Sequence, residues 1–220
     1  MERKFVFSIG EFYHLYNRGT EKRVLFEDTR DHERFLSLLY LCNSKKPVTV
    51  RELPKGALFD VERGKTLTEV GAYCLMPNHF HILVKEKIEN GVSAFMKKLS
   101  TAYSMYFNKK YNRTGSLFEG SFKATHAIDD EYLKYLFSYI HLNPAKLIDP
   151  HWKTSEHAEQ KKLLAYLDNY RYSSLIDYKN PQRKEKNILN KDAFPEYFST
   201  IGEIEESITD WFYNKTFPQG

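Results

Sequence analysis

The chain has 220 residues, of which 41% are hydrophobic and 15% aromatic, and its formal net charge at pH 7 is +4. This composition excludes an intrinsically disordered chain, and the 10 glycines and 8 prolines exclude a collagen-like or proline-rich architecture. No apolar run approaches the roughly 18 residues of a membrane-spanning helix. The two cysteines are too few for a disulfide framework or a cysteine-rich zinc site, so we expect a reducing, cytoplasmic setting and no membrane partner.

Hydrophobic periodicity predicts alternating strands and helices over the first two thirds of the chain. Strands are predicted at 12–17, 67–75, 79–84 and 122–128, helices at 28–41, 93–111 and 131–143, and a polar loop at 44–66. This order is typical of a split βαβ arrangement and favours an α+β fold with the helices on one side of the sheet. The pattern changes after Pro150, which predicts one domain over residues 1–149 and a C-terminal helical extension over residues 150–220.

The segment from Gly91 to Lys123 is rich in both cations and aromatic rings. Such a mixture suits single-stranded nucleic acid, because cations follow phosphates and rings stack on bases. The alternative is a solvated amphipathic helix whose aromatic residues belong to the core. The candidate nucleic-acid-binding cations are Lys97, Lys98, Lys109, Lys110, Arg113 and Lys123, against which the segment carries only the acid Glu119.

Two histidines alternate on the predicted strand 79–84. Alternate side chains of a strand share a face, so His79 and His81 point one way and Phe80 the other. Their Cα atoms are expected to lie ~6.6 Å apart. Two imidazoles placed in this way can converge on one metal ion, although a pair of hydrogen-bonded surface histidines has the same pattern.

The predicted helix 131–143 places a tyrosine one turn before an amide. Tyr139 and Asn143 are four residues apart and therefore neighbours at the edge of the helix's apolar arc. Together they can present a nucleophile and a metal-ligating oxygen to one site. The alternative is a tyrosine that buries its ring against the core. Tyr135 is the rival nucleophile, and His14 and His126 are expected to be structural. His141 is excluded from the metal site, because it lies ~160° from Tyr139 around the helix.

Several motifs together resemble the single-tyrosine HUH transposases, and most of all the branch of REP-associated tyrosine transposases. The resemblance rests on the runs Tyr13–Gly19, Cys74–Val84, Gly115–Ala124 and Tyr139–Pro144, and it covers roughly residues 11–148. Ser121 departs from the pattern, because members often carry an arginine just before the phenylalanine that matches Phe122. Lys123 is the candidate to replace that phosphate contact.

The resemblance implies a fold, a site and a reaction. The fold is a ferredoxin-like antiparallel sheet with helices packed on it. His79, His81 and Asn143 are implied to bind Mg²⁺ or Mn²⁺, and Tyr139 is implied to attack single-stranded DNA near a hairpin, forming a 5′-phosphotyrosine. The cations of the basic segment are then expected to bind the DNA backbone, and the protein to be associated with the nucleoid. A monomer and a homodimer both stay open.

Two other classes of function are compatible with the same residues. One is a domesticated, non-catalytic protein that binds a hairpin or single-stranded nucleic acid, since ferredoxin-like sheets often present aromatic residues to RNA. The other is a metal hydrolase that uses a metal-bound water and forms no covalent product. A metal-dependent covalent adduct distinguishes the transposase from both alternatives.

Overall fold

The computed structural model describes residues 6–47, 58–152, 157–180, 182–196 and 201–214. Its strands are β1 Phe12–Arg18, β2 Thr68–Met76, β3 His79–Glu86 and β4 Lys123–His126, and its helices are α1 Thr29–Cys42, α2 Gly91–Lys110, α3 Asp130–Leu142, α4 His157–Asn169, α5 Leu175–Lys179 and α6 Ile201–Asn214. The predicted strands and helices are therefore present close to their predicted bounds. Residues 48–57 of the predicted loop 44–66 lie outside the described residues.

The strands form one antiparallel sheet in the order β2-β3-β1-β4. With the chain order βαββαβ this is the ferredoxin-like topology, so the predicted α+β class is confirmed. Because β1 lies between β3 and β4, Tyr16 is opposite His81 on one side and opposite Lys123 on the other. The register thus brings three strands together at the end of the sheet where Arg18 is opposite His79.

Helices cover both faces of the sheet, so the expectation of helices on one side is wrong. On one face, α1 and α2 share a core with Phe80, Ile82 and Val84. On the other face, α3, α4 and α6 share a second core with Cys74 and Leu83. The reason lies in β2 and β3, which are buried along nearly their whole length whichever way a side chain points. A sheet that is apolar on both faces has to be covered on both.

α3 begins directly after an aspartate cap and ends two residues before a proline. Asp129 accepts a hydrogen bond of 2.7 Å from the backbone N–H of Tyr132, which satisfies one of the free donors at the helix start. Pro144 cannot continue an α-helix, because it lacks the N–H group and its ring clashes with the preceding turn. The chain continues as a 3₁₀ turn over Asn143–Leu147, which places Asn143 directly after the last residue of α3.

The C-terminal extension packs on the α3 side of the sheet. Tyr170 and Tyr178 donate hydrogen bonds from their hydroxyls to the backbone carbonyls of Leu75 and Gly71 on β2, at 2.7 Å and 2.6 Å. α6 packs against α3 in the second core. The extension therefore supports α3 and β2 from outside, and the division of the chain between residues 149 and 150 stays a prediction. None of the helices in the described ranges has the length and apolar character needed to cross a bilayer.

Candidate active site

The two histidines of β3 share the α3 face of the sheet, as their alternation predicts. Phe80 points to the opposite face and is fully buried in the α1–α2 core. The imidazole centroids of His79 and His81 lie 5.0 Å apart, and the two rings are nearly perpendicular, at 89°. The strand therefore presents two imidazoles to one region of the molecule.

The hydrogen bond of His79 determines which of its nitrogens is free. Nδ1 of His79 lies 2.7 Å from Oδ1 of Asn78. The amide orientation of Asn78 is supported by a second bond, in which its Nδ2 donates to the carbonyl of Lys22 at 3.2 Å. An amide oxygen can only accept, so Nδ1 of His79 carries the proton. In a neutral imidazole this leaves the lone pair on Nε2.

His81 has an unexpected partner in His14 on β1. Nδ1 of His81 and Nε2 of His14 share a buried hydrogen bond of 2.8 Å, and the two rings are stacked with centroids 5.0 Å apart. Nε2 of His81 is buried and has no hydrogen-bond partner within the described residues. His14 was expected to be merely structural, and the pattern of the sequence gives no signal for this contact.

α3 brings Tyr139 to the same place. The ring centroid of Tyr139 lies 5.5 Å from that of His81 and 6.0 Å from that of His14. The ring is half-buried, and on its other side it contacts Tyr135, with centroids 5.7 Å apart. Of the two candidate nucleophiles, Tyr139 is therefore the one whose ring packs against the histidines.

Asn143 lies beside Tyr139 and is almost fully buried, with 1% of its surface exposed. Its Nδ2 donates to the backbone carbonyl of Tyr139 at 2.8 Å, which holds the amide against the end of α3. Its Oδ1 accepts from Nζ of Lys146 at 3.2 Å. The same ammonium lies 5.4 Å from the centroid of the Tyr139 ring, so a cation that the sequence did not suggest is part of the site.

Burial sets the protonation of the site. It lowers the pKa of His79 to about 4, helped by the charges of Lys146 and Arg18, and lowers the pKa of His14 to about 3. The pKa of His81 is also well below its ordinary value, mainly because of burial. Burial raises the pKa of Tyr139, and a hydrogen bond with the Asn143 amide opposes that rise. At pH 7 the imidazoles are therefore neutral and the phenol is protonated.

The side chains present fit a divalent ion. The lone pair on Nε2 of His79 and the unpartnered buried Nε2 of His81 are suitable donors, since neutral imidazole is a common metal ligand. No group of three or more His, Cys, Asp or Glu side chains within the described residues is arranged to hold a metal. Two imidazoles would thus leave the other coordination positions to oxygen donors, such as an amide or a phosphate.

A cavity of about 310 Å³ opens directly beside His79. It lies where the ends of β1 and β4 meet the turn between β2 and β3. Its walls carry two cations and one acid, and Arg18 pairs with that acid, Glu119, at 2.8 Å. The lining residues are Tyr16, Asn17, Arg18, Asn78, His79, Glu119 and Lys123.

The candidate DNA-binding cations separate into two groups. Four of them lie on α2, which covers the opposite face of the sheet from the histidines, and only Lys123 lines the cavity beside His79. Lys97, Lys109 and Lys123 are exposed. The others have internal partners: Lys98 donates to the carbonyls of Ser44 and Lys46, Lys110 pairs with Asp28 and Asp31, and Arg113 donates to Asn108.

Comparison with known proteins gives one family match. Residues 57–143 match the sequence profile of the family described as "Transposase IS200 like". This range contains both histidines of β3 and Tyr139, and it ends at Asn143. Among curated proteins, none matches the chain at a significant level. This profile match confirms the resemblance to transposases that the sequence motifs predict.

Two solved structures share parts of the fold. The structure described as the "REP associates tyrosine transposase bound to a REP hairpin" is similar with a TM-score of 0.52 and 11% identity, covering 81% of this chain and 85% of that chain. The tRNA(His) guanylyltransferase from Saccharomyces cerevisiae gives a TM-score of 0.37 and 10% identity, covering 90% of this chain and 87% of that chain. The first likeness shows a common fold, and the second is too weak to carry an argument.

Proposed function

We propose that this chain is a DNA transposase with a tyrosine nucleophile, because residues 57–143 match the sequence profile of the family described as "Transposase IS200 like". It cleaves and rejoins single-stranded DNA near a hairpin through a 5′-phosphotyrosine intermediate. The observation that carries the proposal is the packing of Tyr139 on α3 against His81 on β3, with ring centroids 5.5 Å apart. Distant segments of the chain thus bring the proposed nucleophile close to the imidazole of a proposed metal ligand.

Tyr139 is the nucleophile in this reaction. Its phenolate oxygen attacks the phosphorus of a backbone phosphodiester, the bond from phosphorus to the 3′-oxygen breaks, and that oxygen leaves as a 3′-hydroxyl after taking up a proton. The product is a 5′-phosphotyrosine linkage, which keeps the energy of the phosphodiester and allows a second 3′-hydroxyl to attack in the reverse sense. The DNA strand is thereby rejoined without hydrolysis.

The buried phenol of Tyr139 has to lose its proton before or during the attack. Its pKa is raised by burial, so the site needs positive charge near the oxygen. Lys146 is the proposed source of that charge, since its ammonium lies 5.4 Å from the centroid of the Tyr139 ring. Asn143 holds the same region in place through its bonds to the Tyr139 carbonyl and to Lys146.

His79, His81 and Asn143 are the proposed ligands of a divalent ion, Mg²⁺ or Mn²⁺. Such an ion supplies positive charge to the non-bridging oxygens of the scissile phosphate. Oδ1 of Asn143 already accepts from Lys146, but a carbonyl oxygen has two lone pairs and can serve both partners. The neutral state of both imidazoles at pH 7 keeps their nitrogens ready to bind.

The cavity beside His79 is the proposed path of the DNA strand at the cleavage point. Arg18 and Lys123 provide cations for backbone phosphates, and Tyr16 provides a ring beside the imidazoles. A hairpin partner is supported by the similar fold of the transposase that is bound to a REP hairpin. The exposed lysines of α2, Lys97 and Lys109, stay candidates for contacts to the rest of that hairpin.

The test is the trapping of a covalent adduct with oligonucleotides that carry a hairpin and a flanking single strand, in the presence of Mn²⁺. Label at the 3′ end is expected to migrate with the protein on a denaturing gel, and label at the 5′ end to appear on a shorter free strand. Tyr139→Phe is expected to abolish the adduct while hairpin binding persists. Tyr135→Phe is the matched control and is expected to retain the adduct.

Other outcomes would favour the other classes of function. Cleavage that survives Tyr139→Phe and leaves no protein-bound strand would identify a metal hydrolase. Hairpin binding by the wild-type protein with no metal-dependent cleavage of any oligonucleotide would identify a non-catalytic binding protein. Either result would contradict the proposed transposase reaction.

A further inference from the structure

We propose that His14 is a positioning residue that fixes His81 as a metal ligand, by accepting a hydrogen bond from Nδ1–H of His81 so that Nε2 of His81 faces the ion. The inference rests on the proposed function, because it concerns the ion that the transposase reaction uses. It assigns to β1 a part in the site that neither the histidine motif on β3 nor the tyrosine on α3 indicates.

The contact is built into the register of the sheet. His14 is opposite Leu83, and His81 is opposite Tyr16, so the two histidines are diagonal neighbours on adjacent strands. Both are buried, each with 6% of its surface exposed, and their rings lie at an interplanar angle of 24°. The bond of 2.8 Å between Nε2 of His14 and Nδ1 of His81 is therefore held by the backbone pairing of β1 and β3.

The bond between the two rings needs one proton, and the surroundings of His81 indicate where that proton lies. A neutral imidazole has one donor and one acceptor nitrogen. If the proton of His81 were on Nε2, a buried N–H group would be left without an acceptor in the described part of the chain. If it is on Nδ1, it is donated to His14, and Nε2 keeps the lone pair that a metal ion requires.

His79 shows the same arrangement with a different partner. Its Nδ1 donates to Oδ1 of Asn78, an atom that can only accept, and its Nε2 keeps the lone pair. Both histidines of β3 thus have an outer acceptor on Nδ1, Asn78 for one and His14 for the other. Acceptors of this kind fix the tautomer and the ring orientation of metal-ligating histidines.

The arrangement also argues against His14 as a third ligand. Its Nε2 is committed to His81, and its ring is held by stacking on Tyr16, with centroids 5.0 Å apart. The edge of the Tyr139 ring approaches it at 6.0 Å between centroids. His14 therefore lies behind His81, packed between the sheet and the tyrosine of α3.

The experiment measures Mn²⁺ binding to the full chain by titration calorimetry, without DNA and without activity. His14→Phe keeps a ring but removes the acceptor, and it is expected to weaken Mn²⁺ binding by about 10- to 100-fold. His14→Gln keeps an acceptor near the position of Nε2 and is expected to stay within about threefold of the wild type. His126→Phe, on the neighbouring strand β4, is the matched control and is expected to bind as the wild type does.

Folding and ligand number are measured on the same samples. Circular dichroism and hairpin binding show whether each variant is folded, and the number of imidazole nitrogens coupled to Mn²⁺ by electron spin-echo spectroscopy is expected to be two. Wild-type affinity in a folded His14→Phe, equal losses in the Gln and Phe variants, or three coupled imidazoles would overturn the inference alone. An absence of Mn²⁺ binding by the wild type would overturn the metal site of the proposed function as well.

Discussion

The site around His79, His81 and Tyr139 and the lysine-rich surface of α2 differ in whether their polar atoms have hydrogen-bond partners. On α2, Lys98 and Lys110 already have internal acceptors, and Lys110 compensates the buried Asp31. In the site, Nε2 of His81 is buried without a partner in the described residues. Together with the rings of His14 and Tyr139 beside it, this unsatisfied nitrogen indicates the binding site more specifically than the number of charges on α2 indicates a DNA surface.

The largest effect on adduct formation is expected from removing the imidazole of His81, which carries the unsatisfied nitrogen. His81→Ala removes one proposed ligand, and because a bound ion contributes several kcal/mol to the stabilisation of transition-state charge, we expect adduct formation to fall about a thousandfold. Adduct formation is measured in single-turnover reactions with a labelled hairpin oligonucleotide and Mn²⁺. His126→Ala is the control and is expected to react at the wild-type rate. A wild-type rate for His81→Ala would contradict the role given to this face of the sheet.

The second prediction concerns Lys110, a cation of α2 that we expect to act in folding. Its ammonium lies 2.6 Å from Oδ1 of Asp31, a carboxylate that also accepts hydrogen bonds from Tyr106 and Tyr111. Lys110→Met leaves that buried charge without its cation, so the free energy of unfolding is expected to fall by about 2 kcal/mol. The measurement is equilibrium unfolding in urea. Unchanged stability combined with weakened hairpin binding would instead assign Lys110 to DNA.

A smaller effect separates Lys123 from Lys97, two exposed lysines on opposite sides of the sheet. Lys123 lines the cavity beside His79, so Lys123→Met is expected to reduce the slope of log affinity against log salt by about 1. Lys97→Met is the matched variant on α2 and is expected to change the slope less. The slopes come from hairpin binding measured over a series of salt concentrations. The reverse order would move the principal DNA surface to α2.

The smallest expected effect concerns the pH dependence of Mn²⁺ binding. Its midpoint is expected to lie below the ordinary pKa of histidine. A free imidazole is half protonated near pH 6.5, and protonation prevents metal binding. Because the pKa of His79 is lowered to about 4, Mn²⁺ affinity is expected to stay nearly constant from pH 8 to about pH 5 and to fall below that. The same lowered pKa means that the unfolded state takes up protons first, so stability is lost as the pH falls from about 6.5 towards 4. A midpoint of Mn²⁺ binding near pH 6.5 would contradict the burial of this imidazole.

The sequence could predict those parts of the site that depend on local periodicity. Alternation on β3 placed His79 and His81 on one face, and the spacing of four residues in the predicted helix 131–143 placed Tyr139 beside Asn143. The family resemblance then assigned a role to each of them. The shared faces and the bounds of the strands and helices both depend on patterns within single elements. For this reason both could be predicted from the sequence.

The parts that the sequence could not predict depend on contacts between distant segments. His14 meets His81 only because β1 pairs with β3 in one particular register, which no local pattern determines. Lys146 reaches the site because Pro144 converts the end of α3 into a 3₁₀ turn. The internal partner of Lys110 lies on α1, so composition alone made this lysine look like a DNA contact.

The proposed reaction requires that the phenol of Tyr139 becomes covalently attached to DNA beside the two histidines of β3. The most direct measurement is mass spectrometry of the adduct after digestion with trypsin and nuclease. The peptide of residues 135–146 contains both Tyr135 and Tyr139, so its fragmentation has to locate the modified ring. We expect a 5′-linked nucleotide on Tyr139. A nucleotide on Tyr135, or cleaved DNA with no modified tyrosine, would show that Tyr139 is not the nucleophile.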